Sequence, residues 1–353
     1  MRVWVASGVL VMMGAAACGV GFAAGRDASG SSTLARVRAA AVLGCGIDQE
    51  EAEYSTSDDH GGRAAFDADL CHAVAVAVLG EHARVRVVDY PDDLASAAGL
   101  HAGEVEMAPT LTDDFTHSVG THLEMTRPVL WDGVGFLVPG SSSVMRAAQL
   151  SGKKICFIAE TAVEESVRSW FAREHLEFVA FPFQEEGEME AAFATGNCGA
   201  LAGDRTRLAG TKELMARHGK PTRLLAETIS KDPLAAAVRD DDAQWAEIVQ
   251  WVMEALVQAE ESGVTRANVE AMSARVAKDK GGDPALWFLL GGSGQIGGGL
   301  GLDDDWVVRV IGATGNYGEI YERDLGSGSA LKLPRGENNL FEHGGLMMAL
   351  PPK

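Results

Sequence analysis

The chain has 353 residues, 46% of them hydrophobic, and a formal charge of −20 at pH 7. That much apolar sequence supports one or two packed domains and excludes a chain that stays disordered. An acidic surface repels phosphate, which argues against nucleic acid and anionic lipid as partners.

The first 25 residues, "MRVWVASGVLVMMGAAACGVGFAAG", pair one Arg with an apolar run and then small residues. We read 1–25 as a signal peptide, too short and too rich in Gly and Ala for an anchor. "GAAAC" makes Cys18 a candidate acylated residue, with Ala15 where Leu is more usual. Ordinary cleavage after Ala17 or Ala24 is the competing reading. Export leaves Cys45, Cys71, Cys156 and Cys198 for an oxidising compartment. The wide gap between Cys71 and Cys156 favours Cys45–Cys71 and Cys156–Cys198, one staple per domain. A four-cysteine metal site lacks its usual paired spacing.

Residues 26–34 read as a polar tether. "AAVLGCGI" (40–47) is expected to be a buried strand and "FDADLCHAVAVAVLG" (66–80) a helix ended by Gly80. "VRVVDY" (85–90) is a strand, "DDLASAAGLHAGE" a helix and "VEMAPT" a short strand. "VGFLVPG" (134–140) is another strand, stopped by Pro139 and Gly140. The alternation then repeats, with strands at "KKICFIA" (153–159), "FVAFPF" and "GALAG" (199–203). Helices are expected at "TAVEESVRSWFAREH" (161–175), "EMEAAFATGN" and "RTRLAGTKELMARHG", before the strand "TRLLAE". Trp245, Ile248, Val249, Val252 and Leu256 then recur at helical spacing, a core stripe. The fold class is therefore α/β, as two lobes, each a mostly parallel sheet flanked by helices. Ligands of open α/β sheets bind at strand C-termini, here between the lobes.

Within that frame, "EMAPTLTDDFTHSVG" (106–120) places Thr110 and Thr112 before Asp113 and Asp114. His117 and His122 lie near these acids at irregular spacing, so we expect polar loop residues and no metal. "GGSGQIGGG" (291–299) spells a dinucleotide motif but lacks the flanking strand and helix, so it reads as a loop. No nucleophile, base and oxyanion hole assemble, so neither an enzyme nor a cofactor is expected. Asp204 follows "GALAG" and opens a helix. It is either the N-cap of that helix or the partner of a ligand ammonium. Thr161 opens a helix in the same way, as a capped start or an anion seat.

These stretches resemble the periplasmic solute-binding proteins of amino-acid ABC transporters, of the type II family. Within them the chain is similar to the general L-amino-acid-binding group. "LGCGI" (43–47), "WDGVGFLV" (131–138), "VIGATGNYGEIYERDLG" (310–326) and "RGENNLFEHGGLMMALPP" (335–352) carry the likeness. It implies lobe 1 at 35–136, lobe 2 at 137–228, and a return to lobe 1 with a C-terminal helical extension at 229–353. It also implies hinge crossovers near 136–140 and 226–234, and the same two disulfides. In such proteins a Ser/Thr pair and an Arg hold the ligand carboxylate, helped by a Gly-Thr-Thr helix start, and an Asp holds the ammonium. Thr110 and Thr112 match the hydroxyl pair, Thr161 the first Thr and Asp204 the Asp. Phe115 stands at the Arg, Glu160 at the Gly and Ala162 at the second Thr, while Tyr54 is the candidate aromatic cover. The resemblance thus implies a monomeric extracytoplasmic receptor for a small polar solute, serving an ABC permease. Its anion grip is degraded, which suits an amine-like ligand. The alternative is a scaffold or sensor that has lost amino-acid binding.

Overall fold

The computed structural model describes residues 32–48, 62–278, 283–292, 294 and 296–351. Cys18 and Tyr54, and with them the signal-peptide reading, lie outside the described residues. Among the described residues no helix is long and apolar enough to cross a membrane.

The amino-terminal part builds around one long helix, α2 (Arg63–Leu79), which follows α1 (Thr33–Ala40) and β1 (Leu43–Asp48). Its Ala/Val/Leu sequence is apolar on most sides, so it is buried on most sides, as a core helix must be. Gly80, at φ 69°, ends it, donating its N–H to the Val76 carbonyl. β1 runs parallel to β2 (Val85–Tyr90), and α3 (Asp93–Ala102) returns the chain to β3 (Ala108–Thr112). Cys45 forms a parallel bridge to Met107, which brings β1 beside the entry to β3.

After a short turn, α4 (Phe115–Ser118), the chain enters β4 (Leu123–Asp132) and then β5 (Val134–Pro139). These two strands belong to different sheets. β3, β10 (Asp232–Arg239) and β4 form an antiparallel sheet with β10 in the middle. The second sheet has the order β7-β6-β8-β5-β9, from β6 (Lys154–Ile158), β7 (Val179–Phe183), β8 (Ala200–Asp204) and β9 (Thr222–Leu224). Here β6 is parallel to β7 and β8, and β5 is antiparallel to β8 and β9. Helices α5 (Ala162–Arg173), α6 (Glu186–Ala194) and α7 (Arg205–Arg217) connect its strands.

The chain therefore crosses between lobes twice, out at Gly133 and back between Leu224 and Asp232. Gly133 has φ +150°, and a Cβ there would stand 2.7 Å from the Ser230 carbonyl oxygen on the returning crossover. Asp132 and Asp232, at the ends of the two crossings, are register partners.

Each lobe has its own apolar cluster. Lobe 1 packs Phe66, Val74, Trp245, Ile248 and Val310. Lobe 2 packs Phe136, Phe157, Val167 and Phe171, with a second cluster around Cys156 and Cys198. The disulfides are Cys45–Cys71, joining β1 to α2, and Cys156–Cys198, joining β6 to the entry of β8. Both are the expected pairings.

The stripe of buried residues from Trp245 to Leu256 lies on α8 (Ala243–Glu261), capped by Asp242 through the Trp245 N–H at 3.1 Å. Helices α9 (Val269–Lys278), α10 (Pro284–Leu289), α11 (Trp306–Thr314) and α12 (Tyr317–Asp324) follow. Tyr317 and Tyr321 meet Phe66 of α2 edge-on at 6.2 and 6.4 Å between ring centroids. Arg335 holds Glu260 with two hydrogen bonds of 2.9 and 3.1 Å, fixing the extension to lobe 1.

Two strands were invisible to pattern reading. β4 and β10 carry Pro128 and Pro233, and their ladder shifts register at Pro128. They exist because they pair with each other across the whole of lobe 2. "VEMAPT" likewise becomes strand only from Ala108 onward, where β10 pairs with it.

Candidate functional site

Between the sheets lies a cleft of ≈ 540 Å³. Lobe 1 contributes Thr112, Asp114 and His117, and the returning crossover contributes Ser230, Lys231, Asp232 and Pro233. Lobe 2 contributes the rest, including Thr161, Ser166, Glu190, Asp204 and Arg207. Thr112, Thr161 and Asp204, all picked from sequence, are thus brought to one cavity. Thr110, Phe115 and Glu160 are not part of its lining.

In lobe 1 the hydroxyl pair is already engaged. Thr110 is 5% exposed; its hydroxyl donates to Asp67 at 2.7 Å and accepts from Arg63 Nε at 3.2 Å. Arg63 Nη2 also donates to the Thr110 carbonyl at 3.2 Å. A guanidinium therefore does sit behind this strand, supplied by α2. It is paired with the wholly buried Asp67, whose carboxyl burial pushes up while Arg63 pulls it back. Thr112 donates both its N–H and its hydroxyl to Asp93, at 3.1 and 3.0 Å. Asp114 caps the α4 turn through the His117 N–H at 2.8 Å. Phe115, at the start of that turn, is 80% exposed.

In lobe 2, Glu160 has φ 62°, the left-handed backbone that a glycine adopts most easily. The geometry of a Gly-started helix is kept although the residue is not Gly. Thr161 caps α5, accepting from the Glu164 N–H at 3.4 Å and donating to the Ile158 carbonyl at 2.8 Å. The Glu160 N–H points to an anion, but that anion is the Glu164 carboxylate, at 2.9 Å. This bond, with help from Arg168, holds the Glu164 carboxyl below its usual range. The helix start thus already faces a carboxylate of its own.

Asp204 ends β8, yet it makes no side-chain cap to α7. That task falls to Asp132, from the strand leaving lobe 1. Asp132 accepts from the Arg205 N–H at 3.1 Å, the Thr206 N–H at 3.2 Å and the Thr206 hydroxyl. The N-cap reading of Asp204 is therefore replaced by Asp132, and Asp204 lines the cleft.

Sequence reasoning missed Lys231, Asp232, Glu190 and Arg207. Asp232 is the most informative of these. Burial first, then the neighbouring Asp132, pushes its carboxyl up to about 6. A signal was present in "ISKDPLAAAVR", the second crossover, whose charged pair falls where the lobes meet. Arg207 forms an ion pair with Glu186 on α6, and Thr211 donates to Glu190 at 2.9 Å. Arg127 pairs with Glu254 at 3.6 Å, and Arg205 donates to the Leu225 carbonyl at 2.7 Å. Neither of these arginines lines the cleft. Among the described residues no group of three or more His, Cys, Asp or Glu could hold a metal.

No family model matches the chain. Whole-chain comparison is decisive instead. The chain is 36% identical over 334 residues to the general L-amino acid-binding periplasmic protein AapJ of Rhizobium johnstonii, covering 93% of this chain and 95% of that one. The chain belongs to the periplasmic binding proteins of amino-acid ABC transporters. This binding protein is also 34% identical over 325 residues to the glutamate/glutamine/aspartate/asparagine-binding protein BztA of Rhodobacter capsulatus, covering 92% and 94%. Among solved structures it is similar to an ABC transporter periplasmic binding protein from Brucella ovis with glutathione bound. That match has a TM-score of 0.77 and 35% identity, covering 92% of this chain and 100% of the other. The binding protein thus has the two-lobed type II fold, and its cleft lies where the two crossovers meet the sheets.

Proposed function

We propose that the chain is an extracytoplasmic solute receptor of an amino-acid ABC transporter, with a site retuned toward a ligand bearing a positive group. A permease is its partner in transport. The charge of the cleft carries this reading. Its lining holds the carboxylates of Asp114, Glu185, Glu186, Glu190, Asp204 and Asp232 against two cations, Arg207 and Lys231. Arg207 is tied to Glu186. A solute ammonium placed at Asp204 meets opposite charge in a half-closed, low-dielectric space. A lone carboxylate there meets repulsion. Thr112, Thr161 and Ser166 line the same space and offer polar contacts for orientation.

The relatives support the class of solute, since AapJ binds L-amino acids and the Brucella ovis protein was solved with glutathione, which also carries an α-ammonium. Lobe closure on the solute is the expected motion.

The test is thermal unfolding of the oxidised protein, refolded to strip bound ligand. The panel holds amino acids, glutathione, polyamines and small amines. A ligand at a hundred times its dissociation constant adds about 2.7 kcal/mol. Stabilisation by an ammonium-bearing class, lost in Asp204→Asn, is the expected outcome. A flat panel overturns the reading and favours a scaffold that has lost its ligand, while a shift that survives Asp204→Asn overturns the role given to Asp204.

A further inference from the structure

A second cavity, of ≈ 490 Å³, shares no lining residue with the cleft and has the opposite charge. It is bounded by α7 and β9 of lobe 2, by Leu225 and Ala226 after β9, and by the stretch Leu331–Asn338 of the C-terminal extension. Five cations line it: Arg205, Lys212, Arg223, Lys332 and Arg335. Arg335 is spent on Glu260. None of the other four has a carboxylate partner among the ion pairs of the described residues.

Their heads are held in place by neutral acceptors instead. Arg205 donates to the carbonyls of Leu225 and Ala226 at 2.7 and 3.3 Å, and Lys212 to that of Leu331 at 3.4 Å. Arg223 Nη2 donates to the carbonyls of Ser142 and Val144 at 2.6 and 2.9 Å. Carbonyl contacts orient a cation without cancelling its charge. Lys332 is exposed on a backbone of φ 48°. Of the two acids in the lining, Asp132 already accepts the donors at the start of α7, and Glu337 is exposed.

A separate observation points to a missing acceptor. Arg223 Nε and the Thr222 hydroxyl are buried and have no hydrogen-bond partner, and both residues line this cavity. Buried donors are rarely left so, because each costs free energy until an acceptor arrives. Clustered, unneutralised cations are also self-repelling, and more unexpected in a chain of charge −20.

We propose that this cavity binds a small polyanion, a compound with two or more carboxylate or phosphate groups, at a site separate from the solute cleft. Arg205, Lys212 and Arg223 bring charge from lobe 2. Lys332 brings it from the extension, whose flanking Leu331 and Leu333 belong to the lobe 1 core. The ligand therefore spans both lobes beside the crossovers. The cavity is sized for a molecule, not for an extended protein segment.

The test is titration of the oxidised protein with citrate and, separately, pyrophosphate, at neutral pH and at ionic strength matched with sodium chloride. Calorimetry and thermal unfolding are the readouts. Saturable binding of at least one probe is expected; citrate alone marks a polycarboxylate and pyrophosphate alone a phosphate compound. Losing one charge-assisted contact weakens binding by about tenfold. Lys212→Gln with Lys332→Gln should therefore weaken it further, while Asp204→Asn in the cleft leaves it intact. The exposed Lys332→Gln alone keeps the test open should the double variant fold poorly. The proposal is overturned if the response equals that of matched sodium chloride, or if the lysine variants bind as tightly as the parent. Binding of hexaglutamate without either small probe also overturns it, since a protein segment would then be the occupant. Tighter probe binding in Asp204→Asn, where a repelling carboxylate is gone, would mean that the anion enters the cleft, contradicting this site and the cleft reading together. A failed amine panel with intact probe binding would strike only the cleft reading.

Discussion

Asp232 is the residue on which solute binding and stability should be coupled. In a folded carboxyl raised from 3.8 to about 6, the protonated form is favoured. Its favourable contribution is complete below pH 4 and is lost as pH rises through about 6. Asp232→Asn should therefore stabilise the ligand-free protein above pH 6 by up to about 3 kcal/mol, with little effect near pH 4, in urea unfolding. Binding of a cationic solute should show the opposite dependence. The solute favours ionised Asp232, so affinity falls as pH drops below about 6, and this slope should flatten in Asp232→Asn when measured by calorimetry. At Phe115 residue chemistry and position diverge. The sequence places a Phe where the resemblance implies Arg, and the structure leaves that ring in solvent while Arg63 brings a guanidinium to Thr110 from another element.

Helix starts are the elements that decide charge in this molecule. α7 depends on Asp132, a residue of the other lobe's strand, for its first N–H groups. Asp132→Ala should cost about 2 kcal/mol or more through lost capping, read by urea unfolding. It should also lower the Asp232 carboxyl by removing its like-charged neighbour, a change visible as a shifted titration in NMR. α5 presents the converse case, because its start holds Glu164 against the Glu160 N–H. Glu164→Gln removes that negative charge. It should raise affinity for carboxylate-bearing amino acids by about threefold, the scale of a charge at a helix end. Unchanged affinity would mean that ligands do not approach α5. The crossover strands β4 and β10 pair with each other, and β10 also with β3, which joins the hinge to the lobe 1 sheet.

At the scale of the whole molecule, two separately stapled cores sit on either side of the crossovers. Cys45–Cys71 closes 26 residues in lobe 1 and Cys156–Cys198 closes 42 in lobe 2. Serine replacement of either pair should cost roughly 3–4 kcal/mol. The two losses should nearly add, because the cysteines lie in different clusters. Urea unfolding of both double variants and the quadruple variant checks this; strong non-additivity would mean that the lobes unfold as one packed unit. The molecule also separates its charges, with an acidic cleft on one set of residues and a basic cavity on another.

The local pattern of the chain was enough for the α/β alternation, the stripe on α8, the Gly80 helix stop and the disulfide pairing. These depend on periodicity, on turn chemistry and on counting, all carried by neighbouring residues. The candidates Thr161 and Asp204 were legible for the same reason, since each follows a strand and opens a helix, whereas Thr112 was picked through the family resemblance. Tertiary structure alone decided the rest. Arg63 meets Thr110 across 47 residues, and Asp132 caps Arg205 across 73. The Asp132–Asp232 pairing spans a whole lobe. The basic cavity joins α7 to a loop far along the chain, through Lys212 and Leu331, 119 residues apart. Such charges interact through space and through burial, and a linear pattern records neither.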